Sequence, residues 1–486
     1  MSNPIKKLVG HTAIYGLPSM VGRLLNFLLV PLYTDFLPVE NYGVLSELYA
    51  WVAFLVVFLT FGMETTYFHF LQKKEDKQSA FNNSFVGVLL LNVFFLLLIL
   101  VGSQGIADGL LFPNHVEYII LLALVVCLDA ASALPLAKLR AQDKAKKFAT
   151  IQSTSILVNI LLNLIFFLGF FDENNPEMGV TFVLIANLVS SGIKPLWLYK
   201  DYLNVSFKID FSQLKSMWLY GFPLMIAGLA GIVNETIDRI LLKHLLYDGT
   251  AESLTMADEN VGIYSACYKL AMLVTIFLQA YRYAAEPLFF SMSKDLDRNK
   301  QYRRIMNLLI AVLCTIFLVV TLNIDLFKLF IRNESYYEGL KVVPILLLAN
   351  IFLGIYMNQS IWYKLSGQTK YGAYIAIGGA TITLVINLIF TPEFKYMAAA
   401  YATLIVYFLQ MTASYLLSRK HYPIPYNLRK FGLYLGLALL FYCLGKEFDF
   451  DNKTVGHAAR NGLIVVYLFV VFFLEKSVLF PSTKKG

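Results

Sequence analysis

Charge is scarce in this chain of 486 residues. Asp, Glu, Lys and Arg make up 15% of it, where a soluble protein carries about 25%. That shortfall excludes the string of soluble domains that such a length would otherwise suggest. Cysteine is scarcer still. Cys127, Cys267, Cys314 and Cys443 all fall inside apolar stretches, so no extracytoplasmic disulfide is expected and they read as packing residues. The six histidines are scattered, four of them (His11, His115, His421 and His457) at or near the ends of apolar runs or in loops. No Cys/His set has the spacing of metal ligands. A phosphate-binding glycine loop is missing, so ATP hydrolysis is not indicated. Neither a metal nor a cofactor is expected.

Hydrophobic residues, by contrast, reach 58%, and the mean hydropathy is +0.63. Crossing a roughly 30 Å hydrocarbon layer takes about 20 apolar residues. Fourteen runs meet that length, at about 9–37, 42–71, 82–106, 115–137, 148–171, 178–199, 214–246, 261–292, 304–331, 339–363, 371–391, 397–418, 428–446 and 460–480. The first is too long, and lacks the small-residue cleavage pattern, for a signal peptide. An all-α polytopic membrane protein of fourteen transmembrane helices follows.

The net charge of +8 could point to nucleic acid, but its distribution points to topology. With the N-terminus inside and alternating spans, inner loops and tails hold 26 Lys and Arg, and outer loops and adjoining span ends hold 9. This bias places both termini in the cytoplasm. The basic excess meets anionic headgroups of membrane lipids, and no nucleic acid is expected as a partner.

The chain also contains its first half twice. Tyr15–Met20 returns as Tyr220–Met225, and Glu40–Ser46 as Glu259–Ser265. Lys138–Lys144 returns as Lys364–Lys370, and Asn163–Phe166 as Asn387–Phe390. Four matches in one order indicate a duplication. Residues 1–204 form a first lobe of six spans, 205–420 a second, and 421–486 an unmatched pair. Six is even, so the lobes are parallel repeats with a pseudo-twofold axis along the membrane normal. Two such bundles are the usual construction of an alternating-access transporter.

Ionisable residues inside spans are expensive, and each is a functional candidate. Arg23 stands about 21 Å along the first span at 1.5 Å per residue, with Ser19 and Asn26 on the same face. That polar stripe reads as lining a hydrated cavity, with a structural salt bridge as the alternative. Lys194 and Lys476 lie near inner span ends and read as snorkelling to headgroups. On the second span of each lobe, Glu47 and Lys269 fall near the outer mouth, and Glu64, Arg282 and Glu286 near the inner one. Opposite charges at equal depth suggest a clasp between lobes. The plainer alternative pairs Arg282 with Glu286 one turn away. On the seventh span Glu235, Asp238 and Arg239 share a face. A Glu235–Arg239 pair would leave Asp238 for a cation or the other lobe. Asp129 has no basic neighbour within one turn, and reads as a proton- or sodium-coupling site or an Asn-like structural group. Prolines within spans (Pro18, Pro31, Pro135, Pro223, Pro287 and Pro344) supply bends.

Four segments carry a family resemblance. They are Leu24–Gly43, with Pro31–Leu37 and then Tyr42-Gly43; Phe61–Thr66; Asn234–Arg239; and Gln279–Pro287. With twelve spans in two parallel lobes plus an extra pair, the chain resembles the multidrug/oligosaccharidyl-lipid/polysaccharide exporter superfamily. Within it, the chain is most similar to bacterial polysaccharide (O-antigen and capsule) flippases. The resemblance implies translocation of an undecaprenyl-diphosphate-linked oligosaccharide across the bacterial inner membrane. It also implies cavity arginines on the first, second and eighth spans. Arg23 and Arg282 match the first and eighth, and the second span has none. Arg23, Asn26, Arg282 and Lys269 are thus the expected substrate-binding set. Three other readings stay open. A multidrug antiporter of the same superfamily would rely on acidic residues such as Asp129. A lipid-linked-sugar polymerase or ligase would need a large outer loop, whereas the longest here is about 247–260. A lipid II flippase would be expected to keep the second-span arginine.

Overall fold

The structure is a computed structural model that describes residues 27–73, 77–292, 297–448 and 453–479. Among the described residues all regular elements are helical, and thirteen helices are long and apolar enough to cross a membrane. They coincide with the second through fourteenth expected spans. The first, 9–37, lies mostly outside the described residues and contributes only α1 (Val30–Phe36), where Pro31 sits in the first turn and its missing N–H costs nothing.

The second span is broken. Helix α2 (Val39–Thr60) stops where Phe61 and Gly62 take left-handed backbone angles (φ 51° and 65°), and α3 (Met63–Lys73) resumes. No proline causes this break; Gly62 permits it. Then follow α4 (Lys77–Gly109), α5 (Val116–Ala141), α6 (Ala145–Gly169), α7 (Glu177–Leu203), α8 (Phe211–Leu246) and α9 (Ala251–Ser291). Beyond them lie α10 (Arg298–Leu322), α11 (Val343–Gln359), α12 (Lys370–Phe394), α13 (Tyr396–His421), α14 (Leu428–Lys446) and α15 (Lys453–Leu479).

The chain packs as two compact units, drawn differently from the repeat lobes. One takes Met1–Ser265 with Leu384–Tyr396, the other Ala266–Thr383 with Met397–Gly486. The division falls within α9, because α8 packs along α2 and joins the first-lobe helices. In the first unit α4 packs on α5, α5 on α7 and α7 on α6, so α7 lies between its two predecessors, and α4, α5, α7 and α8 enclose a core that includes Phe81, Tyr118, Leu122, Val126, Leu184 and Met217. In the second unit α10 is central, against α11, α14 and α15.

Polar ties fasten the C-terminal helix pair. Glu475 is fully buried, and its Oε1 accepts from Lys430 Nζ and from the Tyr434 hydroxyl, each at 2.6 Å. Asn323 and Asn461 exchange amide hydrogen bonds of 3.2 and 3.1 Å, joining the end of α10 to α15.

Candidate functional site

Within the first unit, the repeated glycines Gly43 of α2 and Gly262 of α9 cross. A side chain on Gly43 would collide with the carbonyl of Asp258, and one on Gly262 with the carbonyl of Val39. Only glycine allows that approach. Beside the crossing is a buried ion triad. Lys243 Nζ of α8 lies 3.1 Å from Glu47 Oε2 and 3.1 Å from Asp258 Oδ1. The Lys243 and Glu47 side chains are completely buried. The Trp51 indole donates to Glu47 Oε1 at 3.2 Å, and the Phe112 ring centroid lies 3.6 Å from Lys243 Nζ. The α8–α9 connection is held by Asp248, whose carboxylate accepts from the Thr250 backbone and hydroxyl. Hydrogen bonding to Ser253 and Thr250 holds the Asp248 carboxyl below its usual range.

This corrects the pairing read from depth. The cation that meets Glu47 is Lys243, which the charge count had placed at an outer span end, while Lys269 is a half-buried residue of the second unit. The seventh-span cluster also differs. Arg239 Nη1 donates to Asp238 Oδ1 at 2.8 Å and to the Glu235 backbone carbonyl at 2.9 Å, and the Glu235 side chain is exposed. The buried Tyr264 hydroxyl donates to Asp238 Oδ2 at 2.6 Å, so Asp238 is already engaged on both oxygens.

At the broken span, a side chain on Gly62 would come within 2.9 Å of the Gly221 carbonyl, and one on Gly221 within 2.6 Å of the Phe61 carbonyl. Gly221 belongs to the repeated Tyr-Gly-x-Pro segment. Next to this contact Glu64 forms an ion pair with Arg140 of α5. Asp129, which lacks a basic neighbour on its own helix, has one across the bundle: Lys194 Nζ of α7 donates to its Oδ1 at 2.7 Å. Lys194 therefore does not reach for headgroups; its side chain is 16% exposed.

In the second unit, Arg282 is exposed on α9 and lines a small cleft with Tyr281, Glu286, Asn358 and Lys364. Glu286 turns away from the intrahelical pairing and accepts from Lys364 Nζ at 2.9 Å. Asn358 hydrogen-bonds the Tyr281 hydroxyl at the same cleft. Arg23 and Asn26 lie outside the described residues. Lys243, Asp258, Arg140 and Lys364 are the residues that the sequence reading passed over. The repeat carried a signal for two of them. Asp258 immediately precedes the Glu259–Ser265 match, and Lys364 is the counterpart of Lys138, which pairs with Asp201 at 3.3 Å.

Solved structures match this architecture. Lipid II flippase MurJ in an inward closed conformation superposes with a TM-score of 0.70, covering 96% of this chain and 99% of its own, at 14% identity. An inward-facing multidrug resistance MATE family transporter of the MOP superfamily gives 0.58, covering 86% and 94%, at 15% identity. The fold is the one these two multi-pass membrane proteins share, and it defines the class that the chain resembles. Within that class the family is set by sequence: residues 8–293 match the family model described as "Polysaccharide biosynthesis protein", and the chain belongs to that family. Two relatives are "Lsg locus putative protein 1" of Haemophilus influenzae and "Capsular polysaccharide biosynthesis protein CapF" of Staphylococcus aureus. The first is 23% identical, covering 60% of this chain and 67% of its own length. The second is 20% identical, covering 70% and 82%.

Proposed function

We propose that this protein flips an undecaprenyl-diphosphate-linked oligosaccharide from the cytoplasmic to the outer leaflet of the bacterial inner membrane, by alternating access, for cell-surface polysaccharide synthesis. The observation that carries the reading is the exposed Arg282 on a spanning helix, in a cleft with Lys364 and Asn358. An unsheltered diphosphate entering hydrocarbon meets a penalty of tens of kcal/mol. A guanidinium offers paired donors to phosphate oxygens. The Lys364–Glu286 ion pair offsets the one carboxylate that would repel the headgroup. Arg23 of the first span is the second cation assigned to the substrate.

The test is export. Arg282→Ala should cut glycan export at normal membrane expression, and Arg282→Lys should rescue only in part, because a point charge lacks the fork. Cells lacking the gene should accumulate lipid-linked glycan. The runner-up is a cation-coupled drug antiporter on the same fold. It is favoured instead if deletion leaves the glycan pool unchanged and raises drug sensitivity.

A further inference from the structure

The second unit holds a second cavity besides the Arg282 cleft, with no lining residue in common. It has a volume of about 220 Å³ and lies among α10, α11, α13 and α14. Met306 and Ile310, Ile355 and Met411 line it with hydrocarbon and sulfur. Phe408 of α13 and Leu428 of α14 also line it and are 44% and 54% exposed. None of the residues around it is charged.

A cavity that is wholly apolar stays dry and asks only for hydrocarbon. This one also carries polar side chains, Asn307, Thr412 and Asn427 among them, and two of its polar atoms stand out. Gln359 Oε1, on the last residue of α11, and the Tyr426 hydroxyl, just before α14, are sealed from solvent and lack a hydrogen-bond partner among the described residues. Buried polar atoms are almost always satisfied, and an unsatisfied one marks a missing partner. Here the amide oxygen needs a donor, and the phenol can give one. A single hydroxyl answers both, whereas a phosphate or an ammonium would enter with no counter-charge.

We infer that this cavity binds an uncharged amphiphile, a hydroxyl group on a long hydrocarbon chain. The hydroxyl donates to Gln359 Oε1 and accepts from Tyr426, and the chain lies against Met306, Ile310, Ile355 and Met411. The inference does not depend on the transport reading, because its site is not the Arg282 cleft and its readout is binding. Two sources share the chemistry, a free long-chain alcohol and a diacylglycerol.

The experiment uses the full chain in detergent, with dodecan-1-ol, dioleoylglycerol, dodecane and dodecyl phosphate followed by native mass spectrometry and thermal shift. One of the two hydroxyl probes should bind saturably, about tenfold or more tighter than dodecane, as two hydrogen bonds would give. Dodecyl phosphate should bind no better than dodecane. Whichever hydroxyl probe binds identifies the source. Gln359→Leu combined with Tyr426→Phe should erase the advantage over dodecane while leaving hydrocarbon binding. Met411→Trp should fill the cavity and abolish both; if that variant fails to fold, the double variant decides. Equal affinity for dodecane and both hydroxyl probes would overturn the inference and leave the two atoms to water. So would the absence of saturable binding by any probe.

Discussion

Lys243→Met is the most informative perturbation of this fold. At an effective dielectric of about 20, each 3.1 Å ion pair of Lys243 is worth about 5 kcal/mol of gross attraction. Against this stands the loss of hydration of three ions, several kcal/mol for each. The triad as a whole is therefore close to neutral in stability relative to an apolar substitute. Removing only the cation is different, because Glu47 and Asp258 stay buried and lose their counter-charge. The expected destabilisation is about 3–5 kcal/mol. An independent bound agrees: giving a proton at pH 7 to a carboxyl that ordinarily titrates near 4 costs about 4 kcal/mol. Acid supplies such a proton, so the deficit should shrink as pH falls from 7 to 5. The assay is unfolding in detergent, followed by tryptophan fluorescence at both pH values. Adding Glu47→Gln and Asp258→Asn to Lys243→Met should recover most of the loss. A lone Lys243→Met variant as stable as the parent at pH 7, with no gain on acidification, would refute an ionised triad.

Three further outcomes are expected. Gly43→Ala or Gly262→Ala should each destabilise by about 3 kcal/mol or more, since each new methyl meets backbone that cannot rotate away; unfolding in detergent reads this, and a neutral alanine would mean that the helices separate freely. Asp129→Asn and Lys194→Met should each weaken the first unit, and a double-mutant cycle should return a coupling of about 1–2 kcal/mol, whereas additive losses would leave the pair idle. Cysteines placed at Gly105 and Gly456 should label from outside the cell, and one at Lys146 from the cytoplasm; the reverse pattern would overturn the charge-based topology.

Hydropathy located the spans well wherever a span is a single apolar run. The run 428–446 coincides with Leu428–Lys446, and 397–418 is Tyr396–His421 less its ends. It failed where polar residues are helical and buried. Helix α9 starts at Ala251, ten residues before its apolar run, because Asp258 is neutralised by Lys243 and need not leave the helix. Helix breaks were illegible for a related reason. A backbone turn at Phe61-Gly62 interrupts no hydrophobic pattern, and prolines drew attention elsewhere. Charge partners were the least legible of all. A linear reading sees neighbours one turn away or charges at equal depth, so it weighed Arg282 with Glu286 against a clasp between lobes and allowed Arg239 to pair with Glu235. The structure selects Lys364, 78 positions from Glu286, and Asp238, adjacent to Arg239. The place of a span in the chain was recoverable from sequence; the rotation of a helix about its own axis was not.

The crossing of Gly43 and Gly262 bears on the origin of the chain. Each glycine meets the carbonyl of the residue four positions before the other, Asp258 before Gly262 and Val39 before Gly43. The contact is thus self-complementary, the geometry that a twofold axis imposes on identical subunits. A half-length ancestor with one such glycine would have met a second copy of itself through this same surface, as a homodimer, before fusion placed both copies on one polypeptide. The flanking positions differ between the two copies. The residue before Gly262 by four is an aspartate and its counterpart is a valine, while the residue after Gly43 by four is a glutamate and its counterpart is an alanine. Lys243 joins that aspartate and that glutamate, one from each copy. A strictly symmetric dimer would carry either group twice, so this triad is what breaks the symmetry of the crossing.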